Sequence, residues 1–219
     1  MRRHILLATR NKNKAAELET ILSGFSLRVL GLDEFPELKE IEETGSSFAE
    51  NALLKARHAC AATGMVTLAD DSGLEVEALN GEPGVYSARF YLKHPGCGGA
   101  AQNPPERKAT DKDAANIACL LERMKNIPEG RRQARFCCAI AAVAPPGGLI
   151  TAFGAWPGMI ALAPAGKYGF GYDPVFWDPE LQLTAGQIAP KVKNSRSHRY
   201  RALQNLLRLW PGFWAEVSG

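Results

Sequence analysis

Strand-like apolar runs alternate with amphipathic helical segments along this chain, and no repeat or linker separates independent domains. The alternation predicts an α/β fold in one domain spanning residues 1–219. Three observations carry this. An apolar run, His4 to Leu7, passes through a polar loop into a helical pattern; a capped helix ending near Ala62 is followed at once by a strand; and Gly/Pro-bounded runs between Ala134 and Phe153 read as a hairpin.

In order, the first strand leads through Ala8 to Lys14 into a helix with Leu18, Ile21 and Leu22 on its inner face, then a strand near Leu27 to Leu30. An acidic loop ends at Glu40 to Gly45. Ser47 and Glu50 form a capping-box pair, Phe48, Ala52, Leu53, Ala56, Ala59 and Cys60 recur at helical spacing, and Gly64 terminates the helix. Met65 to Ala69 is a buried strand. Leu74, Val76 and Ala78 alternate with glutamates as a second, half-exposed strand ending at Asn80-Gly81, with another turn at Glu82 to Val85. Tyr91 to Ala109 reads as a long surface loop, the segment of the chain best suited to disorder. Thr110 and Asp113 make a second capping box for a helix striped by Ile117, Leu120, Leu121 and Met124. The last helix starts near Ser197 and ends near Trp210.

Composition narrows the function. With 46% hydrophobic and 22% charged residues the chain is globular, long enough for one large core or two packed lobes. A net charge of +3 is too mild for broad duplex binding, so nucleic acid is not an expected partner and an anionic ligand is small and met locally. No run is long and apolar enough to span a membrane and no signal peptide is visible. The five cysteines lack metal-ligand spacing, so a soluble, reduced, cytoplasmic chain is expected.

Four segments, and an acidic loop that could complete one of them, could carry chemistry. The loop with Thr9, Asn11, Asn13 and Lys14 opens a helix, where unpaired N–H groups and the dipole favour phosphate; the alternative is that Thr9, Asn11 or Asn13 only caps that helix. Asp70 and Asp71 leave a strand end side by side, which needs a cation nearby and suits Mg²⁺, unless Asp70 caps a turn and Asp71 is solvated. Glu42 and Glu43 either complete that metal site or sit as favourable charges near a helix start. In FGYDP (170–174), aromatic rings can stack on a base and Asp173 can accept from a ring N–H; Phe170 and Tyr172 could equally be core. Finally, Leu181 to Ala215 holds no acid but carries Lys191, Lys193, Arg196, Arg199, Arg201 and Arg208 with His198, a clamp for an anion, although Arg201 and Arg208 read as solvated surface. Together these describe a nucleoside triphosphate site.

The motifs ATRNKNKAAEL (8–18), EETGSSFAENALLKA (42–56), ADDSGLEVEALNGEPGVYSARF (69–90), GAWPG (154–158), FGYDP (170–174) and SHRYRAL (197–203) resemble, in order and spacing, those of the inosine triphosphate pyrophosphatase family, the non-canonical purine nucleoside triphosphate pyrophosphatases. The resemblance implies an elongated mixed β-sheet flanked by helices, two lobes around a central cleft, and a homodimer. It implies Mg²⁺-dependent hydrolysis of ITP, dITP and XTP between the α and β phosphates. By motif position, Thr9, Arg10, Asn11, Lys12, Asn13 and Lys14 would hold the triphosphate and Ser72 would contact the nucleotide. Phe170, Gly171, Tyr172, Asp173, Lys193, His198 and Arg199 would surround the base and reject the 6-amino group of adenine. Asp71 would be the general base and, with Glu42 or Glu43, a metal ligand. The segment 91–109 is longer than in most members. A non-catalytic nucleotide- or RNA-binding module is the alternative reading; it would show steep salt dependence. A purely structural protein leaves the paired aspartates unexplained.

Overall fold

The computed structural model describes residues 3–23, 27–39, 41–97 and 109–218. Its strands are β1 (Arg3–Leu7), β2 (Leu27–Gly31), β3 (Thr67–Val76), β4 (Gln133–Ala144), β5 (Gly148–Ile160), β6 (Phe176–Asp178) and β7 (Leu183–Thr184), joined in one sheet of order β2-β1-β3-β4-β5-β6-β7. β1 runs parallel to both β2 and β3, whereas β6 is antiparallel to β5 and β7, so the sheet is mixed. The helices are α1 (Lys12–Leu22), α2 (Phe48–Thr63), α3 (Phe90–Lys93), α4 (Ala109–Arg123), α5 (Pro190–Asn194) and α6 (His198–Ser218). The chain divides into two compact units: 1–72 with 137–155 and 196–219, and 73–136 with 156–195.

In the first unit the core joins Ile5 and Leu7 of β1, Leu18 and Leu22 of α1, Leu68 of β3, Ile140 and Ala142 of β4, and Leu203, Leu206 and Phe213 of α6. β1 is buried on both faces, as expected of a parallel strand covered by helices. Gly154 of β5 faces α6 so closely that a Cβ there would lie 2.4 Å from the His198 carbonyl and 2.2 Å from the Ala202 nitrogen. That glycine sets the seat of the helix bearing His198 and Arg199.

In the second unit Phe136, Trp156 and Phe176 form an aromatic nucleus, with ring centroids 4.3 Å apart for Phe136–Phe176 and 5.1 Å for Trp156–Phe176. Each such pair adds about 0.5–1.5 kcal/mol beyond the area it buries. Leu120 and Met124 pack against it, and buried Arg132 donates to the carbonyls of Met124 and Ile127 just beyond α4 and to those of Ile160 and Ala161. The guanidinium thereby satisfies acceptors that a helix end leaves open.

Several sequence expectations are met and several are corrected. Ser47 caps α2, accepting from the Glu50 N–H, and Gly64 closes it with φ 67°. The returning arm of the box lands one residue early, on the N–H and hydroxyl of Ser46. Asp70 and Asp71 do not leave a strand end: Thr67–Val76 is one continuous strand, and its polar middle is tolerated because cations and amides meet both carboxylates. Ala78 falls in a 3-10 turn, Glu77–Leu79, rather than a strand. Thr110 lies inside α4, not before it, and the Asp113 carboxylate accepts from the Gly171 N–H instead of capping. Of the expected long loop, Tyr91 to Lys93 belongs to α3 and 98–108 lie outside the described residues. α6 continues beyond Trp210 through Pro211, where Trp210 stacks on Trp214 at 5.7 Å and Phe213 is buried. That packing outweighs the one backbone hydrogen bond a helical proline forfeits. No helix among the described residues is long and apolar enough to cross a membrane.

Candidate active site

Because successive strand residues face opposite ways, β3 sends its two carboxylates into different layers. Asp70, 1% exposed, meets Lys14 Nζ of α1 at 3.4 Å, Arg199 Nε of α6 at 3.4 Å and the Ser72 hydroxyl at 3.3 Å. Asp71, 6% exposed, meets α2: Asn51 Nδ2 at 3.1 Å and Lys55 Nζ at 3.5 Å. Lys55 also holds Glu43 Oε1 at 2.8 Å. Arg199 further donates to Glu17 and, at 3.0 Å, to Ser72 Oγ. Four carboxylates thus share three cations within one unit.

These surroundings separate the two aspartates chemically. Burial alone would push Asp70 up, but Lys14, then Arg199 and Lys55, outweigh it and hold its carboxyl well below the usual range. For Asp71 burial prevails: assisted by Glu43, it leaves the carboxyl above its ordinary value despite Lys55, Lys14 and the Asn51 amide. Two adjacent carboxyls pushed apart in this way fit one fixed anion and one proton acceptor. Lys55 stays charged, since Asp71, Asp70 and Glu43 outweigh its burial. Burial, then the Asp70 charge, pushes the Cys138 thiol up, so it is no nucleophile.

The second unit builds a different cluster. Asp173 accepts from the Phe170 N–H at 2.9 Å and from buried Lys193 Nζ of α5 at 2.5 Å, while that ammonium stands 5.0 Å from the centroid of the Phe170 ring. Gly169, at φ 77°, leaves room for the Asp173 carboxylate: a Cβ there would fall 1.8 Å from Oδ2. The Tyr172 hydroxyl donates to the Ser87 carbonyl at 2.9 Å, and its ring is buried. Tyr172 is thus core, whereas Phe170 borders a buried charge.

Placement of the remaining residues differs from the motif-based picture in detail. Asn11 caps α1, accepting from the N–H groups of Asn13 and Lys14, and Thr9 Oγ1 accepts from the Asn11 N–H at 3.3 Å. Arg10 donates to the Leu38 carbonyl at 2.5 Å; Lys12 and Asn13 are exposed. Glu43 is the glutamate joined through Lys55 to Asp71, and Glu42 is exposed. Lys193 lies with Asp173, but Arg199 lies with Asp70, and His198 opens α6 in the same unit as Arg199. Sequence reasoning missed Glu17, Asn51 and Lys55. For the last two the sequence holds one signal, their i and i+4 spacing beside the apolar Ala52 and Ala56; the full burial of Asn51 emerges only in the structure.

The family model of the Ham1 family matches residues 5–209. A protein of Nitratidesulfovibrio vulgaris named dITP/XTP pyrophosphatase is 52% identical over 210 residues, covering 96% of this chain and 97% of that one. One of the same name from Nocardia farcinica is 45% identical over 206 residues, covering 93% and 92%. Among solved structures, a HAM1 protein from Coxiella burnetii superposes with a TM-score of 0.79 at 39% identity, covering 96% of this chain and 99% of that one. A nucleoside-triphosphatase / dITP/XTP pyrophosphatase from Mycobacterium abscessus gives 0.71 at 44% identity, covering 93% and 98%.

Proposed function

Since the chain belongs to the Ham1 family, we propose that it hydrolyses the non-canonical purine nucleoside triphosphates ITP, dITP and XTP to monophosphate and pyrophosphate, clearing them from the nucleotide pool. Water attacks the α-phosphorus, and the bond broken is that between the α and β phosphates. The observation that carries this reading is the split pair on β3: Asp71 buried with a raised pKa beside Lys55 and Glu43, next to an Asp70 fixed as an anion by Lys14 and Arg199.

The donor set fits Mg²⁺. Asp71 and Glu43 are hard oxygen donors turned to one ammonium. Among the described residues no three His, Cys, Asp or Glu side chains form a ready cage. That suits an ion that keeps its waters and takes one or two carboxylates plus substrate phosphates. Asp71 and a glutamate, Glu43 by its position, would hold it; when bound, Mg²⁺ neutralises phosphate oxygens and polarises the reacting phosphoryl group.

The chain supplies the rest. Lys14 and Lys55, with exposed Lys12, neutralise the triphosphate, and Asp71 orients water and takes its proton on a carboxylate oxygen, a role worth about 10²–10⁴ in rate. The Phe170 to Asp173 loop and Lys193 receive the base. Donors aimed at a 6-keto oxygen stay unpaired when an amino group replaces it, which costs several kcal/mol, about a thousandfold. In this reading Arg199 serves the substrate by fixing Asp70 and Ser72. The protein acts as a homodimer in the cytoplasm; light scattering checks the first and cell fractionation the second. Incubation with ITP and Mg²⁺ is expected to release pyrophosphate and IMP. Orthophosphate and IDP would contradict the assignment.

A further inference from the structure

The Gly169 to Asp173 loop is held from within by Asp173 and from outside by two side-chain bonds that close a ring. On one side the Tyr172 hydroxyl reaches the Ser87 carbonyl at 2.9 Å. On the other, Asp113 Oδ2, projecting from α4, accepts from the Gly171 N–H at 2.7 Å. One turn further along α4, Asn116 donates to the Ala88 carbonyl at 3.2 Å and accepts from the Tyr91 N–H at 3.0 Å, so α4 is tied to the segment that supplies Ser87. Ser87 is itself fixed, its Oγ accepting from the Leu74 N–H at 2.9 Å and donating to the Gly84 carbonyl at 2.6 Å. A carboxylate half-buried on a helix, with its charge spent on one loop amide, is costly as packing alone. Burial pushes Asp113 up and the Gly171 N–H opposes this, so the bond is what favours its anion.

The geometry points to Asp113 as the positioning residue of the base-receiving loop: it fixes the Gly171 amide, and through it the Phe170 ring beside Lys193. This rests on the assignment of that loop to the base. Asp113 contacts no reacting atom; it sets which purine the loop accepts and not how fast the phosphoanhydride breaks.

The test compares Asp113→Ala and Asp113→Asn with the unaltered enzyme, on ITP and ATP. Loss of a charge-assisted bond at a positioning contact predicts for Asp113→Ala a KM for ITP raised about tenfold, kcat for ITP within about twofold, and a smaller ITP-over-ATP preference. Asp113→Asn, which keeps an acceptor oxygen, restores KM and preference. Unchanged KM and preference in Asp113→Ala, or a fall in kcat alone, overturns the proposal. If Asp113→Ala does not fold, Asp113→Glu decides: its acceptor is displaced by one methylene, so KM rises if the proposal holds, and a KM equal to that of the unaltered enzyme overturns it. Hydrogen exchange at the Gly171 amide needs no substrate: protection retained in Asp113→Asn and lost in Asp113→Ala is expected, and equal exchange in the two overturns the bond. An unaltered enzyme indifferent to ITP and ATP, with the exchange result as expected, would instead remove the base assignment of the loop.

Discussion

Lys55→Met tests the charge balance on which the first cluster rests. The ammonium lies 2.8 Å from Glu43 and 3.5 Å from Asp71, and its side chain is 17% exposed, against 31% for Glu43 and 9% for Asp71. Removing one partner of a fully buried ion pair costs about 3–5 kcal/mol. Water reaching Glu43 screens part of this, so about 2 kcal/mol is expected here. With about 2.1 cal/mol/K of unfolding entropy per residue over 219 residues, that loss lowers Tm by about 4 °C. The assay is a thermal melt in EDTA at neutral pH, repeated with Mg²⁺. The reading gives the same carboxylates to the ion, so Mg²⁺ should recover much of the loss by binding the native state. A Tm within about 1 °C of the unaltered protein in EDTA would refute the inference that Lys55 holds these carboxylates together.

Asp71→Asn should lower kcat for ITP by about 10²–10⁴ with the melt preserved, and a near-normal rate would remove Asp71 as the base. Asp70 has the opposite pH signature: its carboxyl is held below its unfolded value, so its contribution to stability is whole above about pH 4 and is lost as pH falls toward the folded value. Melts in EDTA from neutral pH downward should therefore show a steeper acid loss for the unaltered chain than for Asp70→Asn; parallel profiles would argue against the Lys14–Asp70–Arg199 network. Gly169→Ala forces a Cβ to within 1.8 Å of Asp173 Oδ2 at a left-handed φ, so it should raise KM for ITP and lower Tm, and an unaltered KM would separate that loop from substrate.

Local signals were legible where local physics decides. The Ser47 cap, the Gly64 stop and the buried run of β4 follow from hydrogen-bonding and periodicity within a few residues. Asp70-Asp71 read as a strand end because two carboxylates inside a buried strand look unaffordable until Lys14, Asn51, Lys55 and Arg199 arrive from three different helices. Asp113 read as a cap for the same reason, since its partner Gly171 lies 58 residues away. Position within a motif likewise grouped Lys193 with Arg199, although one pairs with Asp173 and the other with Asp70. Glu17 gave no sign at all, being an ordinary helix glutamate until Arg199 meets it.

The most direct measurement is a crystal structure with Mg²⁺ and an ITP analogue whose α–β bridging oxygen is replaced by an imido group. The account predicts one nucleotide per chain, with its phosphates beside Lys14, Lys55 and Asp71. A nucleotide whose phosphates lie away from Asp71 would contradict it.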